Sequence, residues 1–256
     1  MSDKPIPDPD ALVKLARDDH GEPEIFLSFQ GEGPMAGRRR TFIRFSGCNL
    51  HCSWCDTAYT WNWEGSPHPH EDPVKYRPAE EIAQLSVAEA VRRANARPAP
   101  GVVITGGEPM MQPRALLAMA AGLRAERPAR RIEIETNGAY APGPSLADQV
   151  DLFMVSPKLA HSGNGPGLAE KALERFAGVE QAAFKFVVKS EMDVAEALRL
   201  TQAAGVAADR VWAMPEGRSA QAIDVVWPEI APAAIEAGFN VTDRLHIRLF
   251  GRKRGT

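Results

Sequence analysis

The chain has 256 residues, 44% hydrophobic, 25% charged and 7% aromatic, with a formal net charge of −3. This balance suits one large domain that buries about three quarters of its unfolded surface, and its weak acidity argues against a surface that coats nucleic acid directly. No run approaches the ~20 apolar residues of a membrane span, and the opening MSDKPIPDPD lacks the basic start and apolar core of a secretory signal, so the expected location is cytoplasmic.

In chain order, residues 1–22 are rich in Pro, Asp and Lys, with apolar content only at 11–16, and read as a loosely held N-terminal extension with one short helix. The folded core is expected over 23–256. Short runs of β-branched and aromatic residues predict strands over 24–29, 41–46, 102–105, 132–136, 152–156, 183–189, 210–214 and 245–250. Apolar residues three and four apart predict helices over 79–96, 113–127, 168–177, 192–204 and 220–237. Alternation of the two is the pattern of an α/β fold in which crossover helices join parallel strands. The polar, proline-rich stretch 61–78 reads equally as a specificity loop or as a solvated insertion.

Cys48, Cys52 and Cys55 are the only cysteines, packed into one Cys-x3-Cys-x2-Cys loop directly after a predicted strand. An odd number in a chain without secretory features points to a metal or redox site and away from a disulfide framework. Two readings stay open on spacing. A zinc knuckle would take His51 as its fourth ligand. A 4Fe-4S cluster would use three thiolates and leave one iron free for a ligand.

Polar strand ends recur downstream. Gly106-Gly107-Glu108-Pro109 follows one strand, Glu135-Thr136-Asn137-Gly138 the next, then Ser156-Pro157-Lys158, and later Met214-Pro215-Glu216-Gly217. Glycines at a strand end allow close backbone approach, and in parallel α/β folds ligands gather at these carboxyl ends. Phe29-Gln30-Gly31-Glu32 forms a glycine-bearing turn with amide and carboxylate groups suited to a flat heterocycle with donor and acceptor edges.

The cysteine spacing with GGEP resembles the signature of radical S-adenosylmethionine (SAM) enzymes, whose fold is a partial, incomplete TIM-like β/α barrel. The longer string FxSxQGEGPxxGxxxxFIRxxGCNLxCxWCDT, continued by ETNG, SPK, MPEG and the closing LHIRLFGRKRGT, resembles the 7-carboxy-7-deazaguanine synthase family. That resemblance implies hydrogen abstraction from C6 of 6-carboxy-5,6,7,8-tetrahydropterin by a SAM-derived radical, then ring contraction and loss of ammonia, in queuosine and deazapurine synthesis. It assigns Cys48, Cys52 and Cys55 to the cluster, and Thr57 to Mg2+. Trp54, Asp56, Gly107, Glu108, Glu135, Asn137, Ser156, Pro157, Lys158, Met214, Pro215, Glu216 and Gly217 fall to SAM. Phe29, Gln30, Gly31, Glu32, Arg44, Thr105 and His246 fall to the pterin. It further implies a flavodoxin-type reductant and a homodimer, with nucleic acid entering only downstream. A glycyl-radical activating enzyme shares the cysteine spacing and is the rival enzyme class; the QGEG turn and Thr57 favour the pterin.

Overall fold

The computed structural model describes residues 7–256, so the first six of the expected N-terminal extension lie outside it. Strands β1 (Leu12–Ala16), β2 (Ile25–Phe29) and β3 (Arg39–Phe45) open the fold. Next come helix α1 (Pro78–Glu81), strand β4 (Ile82–Ser86) and helix α2 (Val87–Asn95). From β5 (Gly101–Gly106) strand and helix alternate: α3 (Pro113–Glu126), β6 (Arg131–Thr136), α4 (Pro144–Ala147), β7 (Leu152–Val155), α5 (Leu168–Phe176), β8 (Ala182–Val188) and α6 (Glu191–Ala203). The chain ends with β9 (Val211–Pro215), α7 (Ala220–Ala237), β10 (Asn240–Val241) and α8 (Leu245–Phe250).

One sheet carries all of it, in the order β10-β9-β8-β7-β6-β5-β3-β1-β4, with β2 also on β3. Every pairing from β3 to β10 is parallel, while β1, β2 and β4 are added antiparallel. The order is open, which is the partial barrel expected, and not a closed one. Because the strands run parallel, the carboxyl ends of β3, β5, β6, β7, β8 and β9 all emerge at one end of the sheet. β8, AAFKFVV, is buried at every position, as a central parallel strand with both faces covered must be.

Three expectations need correction. Residues 11–16 hold no helix, and the segment is not loosely attached: β1 pairs along its whole length with β4 and reaches β3 at Leu15 opposite Phe45. Val13, Leu15 and Ala16 are fully buried there, and their alternation is a strand period hidden by the flanking prolines. The continuous helix over 79–96 is broken by β4, because Ile82–Ser86 finds a complete partner in β1 and Ser86 then starts α2 afresh, its hydroxyl accepting from Glu89 N at 3.2 Å. Residues 245–250 are helix α8, not a strand. Six residues are too few to separate the two periods, and the segment is set by its docking: Leu245 N donates to Gly31 O at 3.0 Å, and Gly251 ends the helix at φ 68°.

If β1 belongs to the core, Leu15→Ala should lower the unfolding free energy by about 2–5 kcal/mol, read from urea denaturation; a change within error would return this strand to the periphery.

Candidate active site at the carboxyl ends of the parallel strands

β3 leads through Gly47 into the cysteine loop, and β5 leads into Gly107. The two turns lie back to back: Gly107 N donates to Phe45 O at 3.0 Å and Glu108 N to Gly47 O at 2.8 Å. A Cβ at position 107 would stand 2.1 Å from Gly47 O. Glycine is therefore required at 107 by backbone meeting backbone. Glu108 is fully buried and accepts from Met110 N (2.9 Å), Thr136 Oγ1 (2.8 Å) and Asn137 N (2.7 Å), while burial pushes its carboxyl up. It does not line the cavity below, and these three donors make it a brace between the strand ends.

Cys48, Cys52 and Cys55 line one cavity of about 230 Å3. Each sulfur has a polar neighbour: Leu50 N donates to Cys48 Sγ at 3.4 Å, Asn164 Nδ2 to Cys52 Sγ at 3.2 Å, and Thr57 Oγ1 lies 3.5 Å from Cys55 Sγ. Burial, with like charge from Cys55, Glu108 and Cys52, pushes the Cys48 thiol up to about 12, and burial also raises Cys52. At Cys48 and Cys52 the protein alone thus favours thiols, which a positive inorganic centre beside them would convert to thiolate ligands. Among the described residues no three His, Cys, Asp or Glu side chains close around a point that would hold a single ion. His51 stacks on His68 at 3.5 Å, edge-on to Trp61 at 5.1 Å, and is not in the cavity wall. The zinc-knuckle ligand set is therefore not assembled, whereas three spaced sulfurs with aimed donors suit a multi-iron cluster.

Loop 61–78 is docked against the cysteine loop. His70 Nε2 donates to Cys55 O at 2.8 Å, its Nδ1 accepts from Asp72 N at 3.0 Å, and Asp72 meets Arg218 and Arg252.

On one side of the cavity, Lys158 Nζ donates to Ser156 Oγ at 2.7 Å and lies 5.7 Å from the Trp54 ring centroid. Asn137 Nδ2 is 2.9 Å from Asn49 Oδ1, and Met214 completes this wall. Pro157, Pro215, Glu216 and Gly217 stand outside the lining; Glu216 instead pairs with Lys189 at 3.0 Å.

The opposite wall carries the residues of the first turn. Gln30 Nε2 donates to Glu135 Oε1 at 3.0 Å and Thr105 Oγ1 to Glu135 Oε2 at 2.8 Å, so Glu135 sits with the turn and not with Lys158. Arg44 Nε donates to buried Glu24 at 3.0 Å, which also takes the Tyr59 hydroxyl at 2.9 Å; among the described residues no partner meets the Arg44 Nη groups. Phe29, Thr57 and Asp56 also line the cavity. Glu32 lines it too, but both of its oxygens are taken, one by Lys185 and one by Arg244. At Gly31 a Cβ would stand 2.2 Å from His246 Nδ1, which is why glycine sits there. The imidazole Nε2 is 3.8 Å from Asp56 and 3.9 Å from Glu32.

Glu24, Tyr59, Asn164, Lys185 and Arg244 were not among the expected site residues. Lys185 had a signal, a lone cation inside the apolar run AAFKFVV. The others lie at element ends or in irregular segments where neither period nor spacing marks them.

Residues 42–153 match the Radical SAM superfamily. The chain is 38% identical to the 7-carboxy-7-deazaguanine synthase of Pyrobaculum aerophilum, over 91% of this chain and 95% of that protein. It is 35% identical to the protein of the same name from Rhodopirellula baltica, over 91% and 87%. The solved structure of QueE from Escherichia coli superposes with a TM-score of 0.62 at 24% identity, covering 92% of this chain and 95% of that one, which supports the fold.

Burial alone would raise the Glu32 carboxyl; Lys185, Arg244 and His246 outweigh it and bring it from 4.5 down to about 2. A depressed carboxyl contributes stability above its ordinary value and loses it as pH falls through the folded one. Urea unfolding of the wild type should therefore weaken between pH 4.5 and 2, and Glu32→Gln, less stable overall, should give a flatter curve there. Parallel curves would contradict the assignment.

Proposed function

The chain belongs to the 7-carboxy-7-deazaguanine synthase family of the radical SAM superfamily, and on that premise we propose that it converts 6-carboxy-5,6,7,8-tetrahydropterin to 7-carboxy-7-deazaguanine and ammonia, a step toward queuosine and related deazapurines. The observation that carries this reading is one cavity lined both by three thiols, each with a polar neighbour, and by Gln30, Arg44, Thr105 and Glu135. Cys48, Cys52 and Cys55 would hold the 4Fe-4S cluster. Bound there, the cluster and SAM supply the one-electron chemistry that removes hydrogen from carbon.

The rest is the work of the chain's own side chains. The free Arg44 Nη pair suits a carboxylate bidentately, with Glu24 and the Phe26 ring keeping the guanidinium aimed. Glu135, held by Gln30 and Thr105, offers its remaining lone pairs to pterin N–H groups. Lys158, Ser156, Trp54, Asn137 and Met214 form the wall assigned to SAM, a cation beside a hydroxyl to meet its carboxylate and apolar surface to cover its ring. Thr57, beside Asp56 on the cavity wall, would offer its hydroxyl to Mg2+, with substrate oxygens and water as the other ligands. His246, packed on Gly31, closes the substrate turn and excludes water. Three unbridged cysteines committed to an inorganic centre support a cytoplasmic, reducing location. A flavodoxin-type donor and a homodimer complete the proposal and rest on the family resemblance.

Anaerobic incubation of the reconstituted protein with SAM and the carboxytetrahydropterin, followed by mass spectrometry, should yield the deazaguanine. SAM consumption without that product would sink the reading. Thr57→Ala should lower turnover roughly tenfold or more and blunt its Mg2+ dependence, with the cluster absorption intact; unchanged dependence would remove Thr57 from the magnesium site.

A further inference from the structure

Arg244 precedes α8 and is buried, its side chain 8% exposed. Its three kinds of nitrogen go to three different segments. Nε donates to Glu32 Oε1 in the substrate turn at 3.2 Å, Nη1 to Gly217 O in the turn after β9 at 2.6 Å, and Nη2 to Asp56 in the cysteine loop. A guanidinium that serves only to neutralise a carboxylate normally closes on it with two parallel bonds. Here the fork is opened so that no two of these bonds share an acceptor. Desolvating a cation this fully is costly unless it is well paired, and here each of its three nitrogens has an acceptor, each in a different segment.

Two further contacts bind the same segment to the substrate turn: Leu245 N donates to Gly31 O at 3.0 Å, and Gly33 N donates to Thr242 Oγ1 at 2.7 Å. The far side of Glu32 is held by Lys185 from β8. Displacing any one of the three segments therefore pulls on Arg244 and through it on the other two.

We infer that Arg244 is a positioning residue that registers the substrate turn, the cluster loop and the turn after β9 against one another, so that the walls assigned to pterin and to SAM are set as a unit. It touches neither ligand in this account. The inference rests on the proposed function for what the two walls bind, but the coupling of the loops does not.

Arg244→Lys keeps the charge and cannot span three acceptors, while Arg248→Lys on the helix that follows, whose partners Asp224 and Asp243 lie outside the cavity lining, serves as the control. Hydrogen exchange of the metal-free protein reads the coupling without turnover. In Arg244→Lys the amides of Gly33, Ala36 and Gly37, of Thr60 and Trp61, and of Glu216 should all lose protection by roughly tenfold or more, as expected for loss of buried charged hydrogen bonds. Arg248→Lys should leave them unchanged. In the loaded enzyme, Arg244→Lys should raise the half-saturation constants for substrate and SAM together, each by roughly tenfold, with a smaller fall in kcat. Exchange changes confined to 242–250, equal changes in the Arg248 control, or rescue by lysine would overturn the inference. Should Arg244→Lys fail to fold, the wild type decides: these amides must open with the same free energy and denaturant dependence, and separate openings would refute the coupling. A wild type that makes no deazaguanine but shows the shared opening would refute the proposed function and leave the clamp standing.

Discussion

The parallel register of β3 against β5 is the constraint on which the site depends, because it sets Phe45 beside Gly106 and so delivers the cysteine loop and the Gly-Gly turn to the same point. The approach is so close that a Cβ at 107 would stand 2.1 Å from Gly47 O, well inside van der Waals contact distance. With these turns fixed, Glu108 can reach under β6 to hold Thr136 and Asn137, and the next parallel strands repeat the arrangement. The sulfurs are thus placed by strand pairing and backbone contact.

Around that frame the cavity is charged to a degree that most interiors avoid. Arg44 with Glu24, Lys185 with Glu32, and Arg244 with Glu32 and Asp56 are ion pairs of low exposure. Such pairs seldom add net stability over apolar packing, since desolvation offsets most of the Coulomb gain. What they do provide is direction: each fixes a side chain that faces the cavity, and removing one partner leaves a charge stranded. Among the described residues no partner meets the Arg44 Nη pair, which with the outer lone pairs of Glu135 stands open to a ligand in the cavity.

Much of this was readable in advance, for physical reasons. β3, β5, β6, β7 and β8 are short apolar runs ending in glycine or polar turns, and their expected bounds fall close to the observed ones. The motifs at their ends converge because parallel strands force them to. β1 was missed because Pro, Asp and Lys around it mimic a disordered tail, although Val13 and Leu15 are buried in strand alternation. β4 was hidden within a helical pattern, since Ile82 and Leu85 stand three apart as on a helix face, and only the partner strand β1 decides. Glu108 and Glu32 read as ligand-facing carboxylates, and the protein donors that each also holds, from Met110, Thr136 and Asn137 and from Lys185 and Arg244, carry no local signal. Arg244 and Asn164 act across more than a hundred residues of separation from Asp56 and Cys52, a relation no single-sequence pattern encodes.

The central claim is that three thiolates at this sheet end hold a cluster with one iron left open. Mössbauer spectroscopy of protein reconstituted anaerobically with isotopically enriched iron, with and without SAM, tests it most directly. The account predicts a four-iron cluster in which one iron alone changes its parameters when SAM is added. A single bound zinc, or a cluster whose irons are all indifferent to SAM, would contradict it.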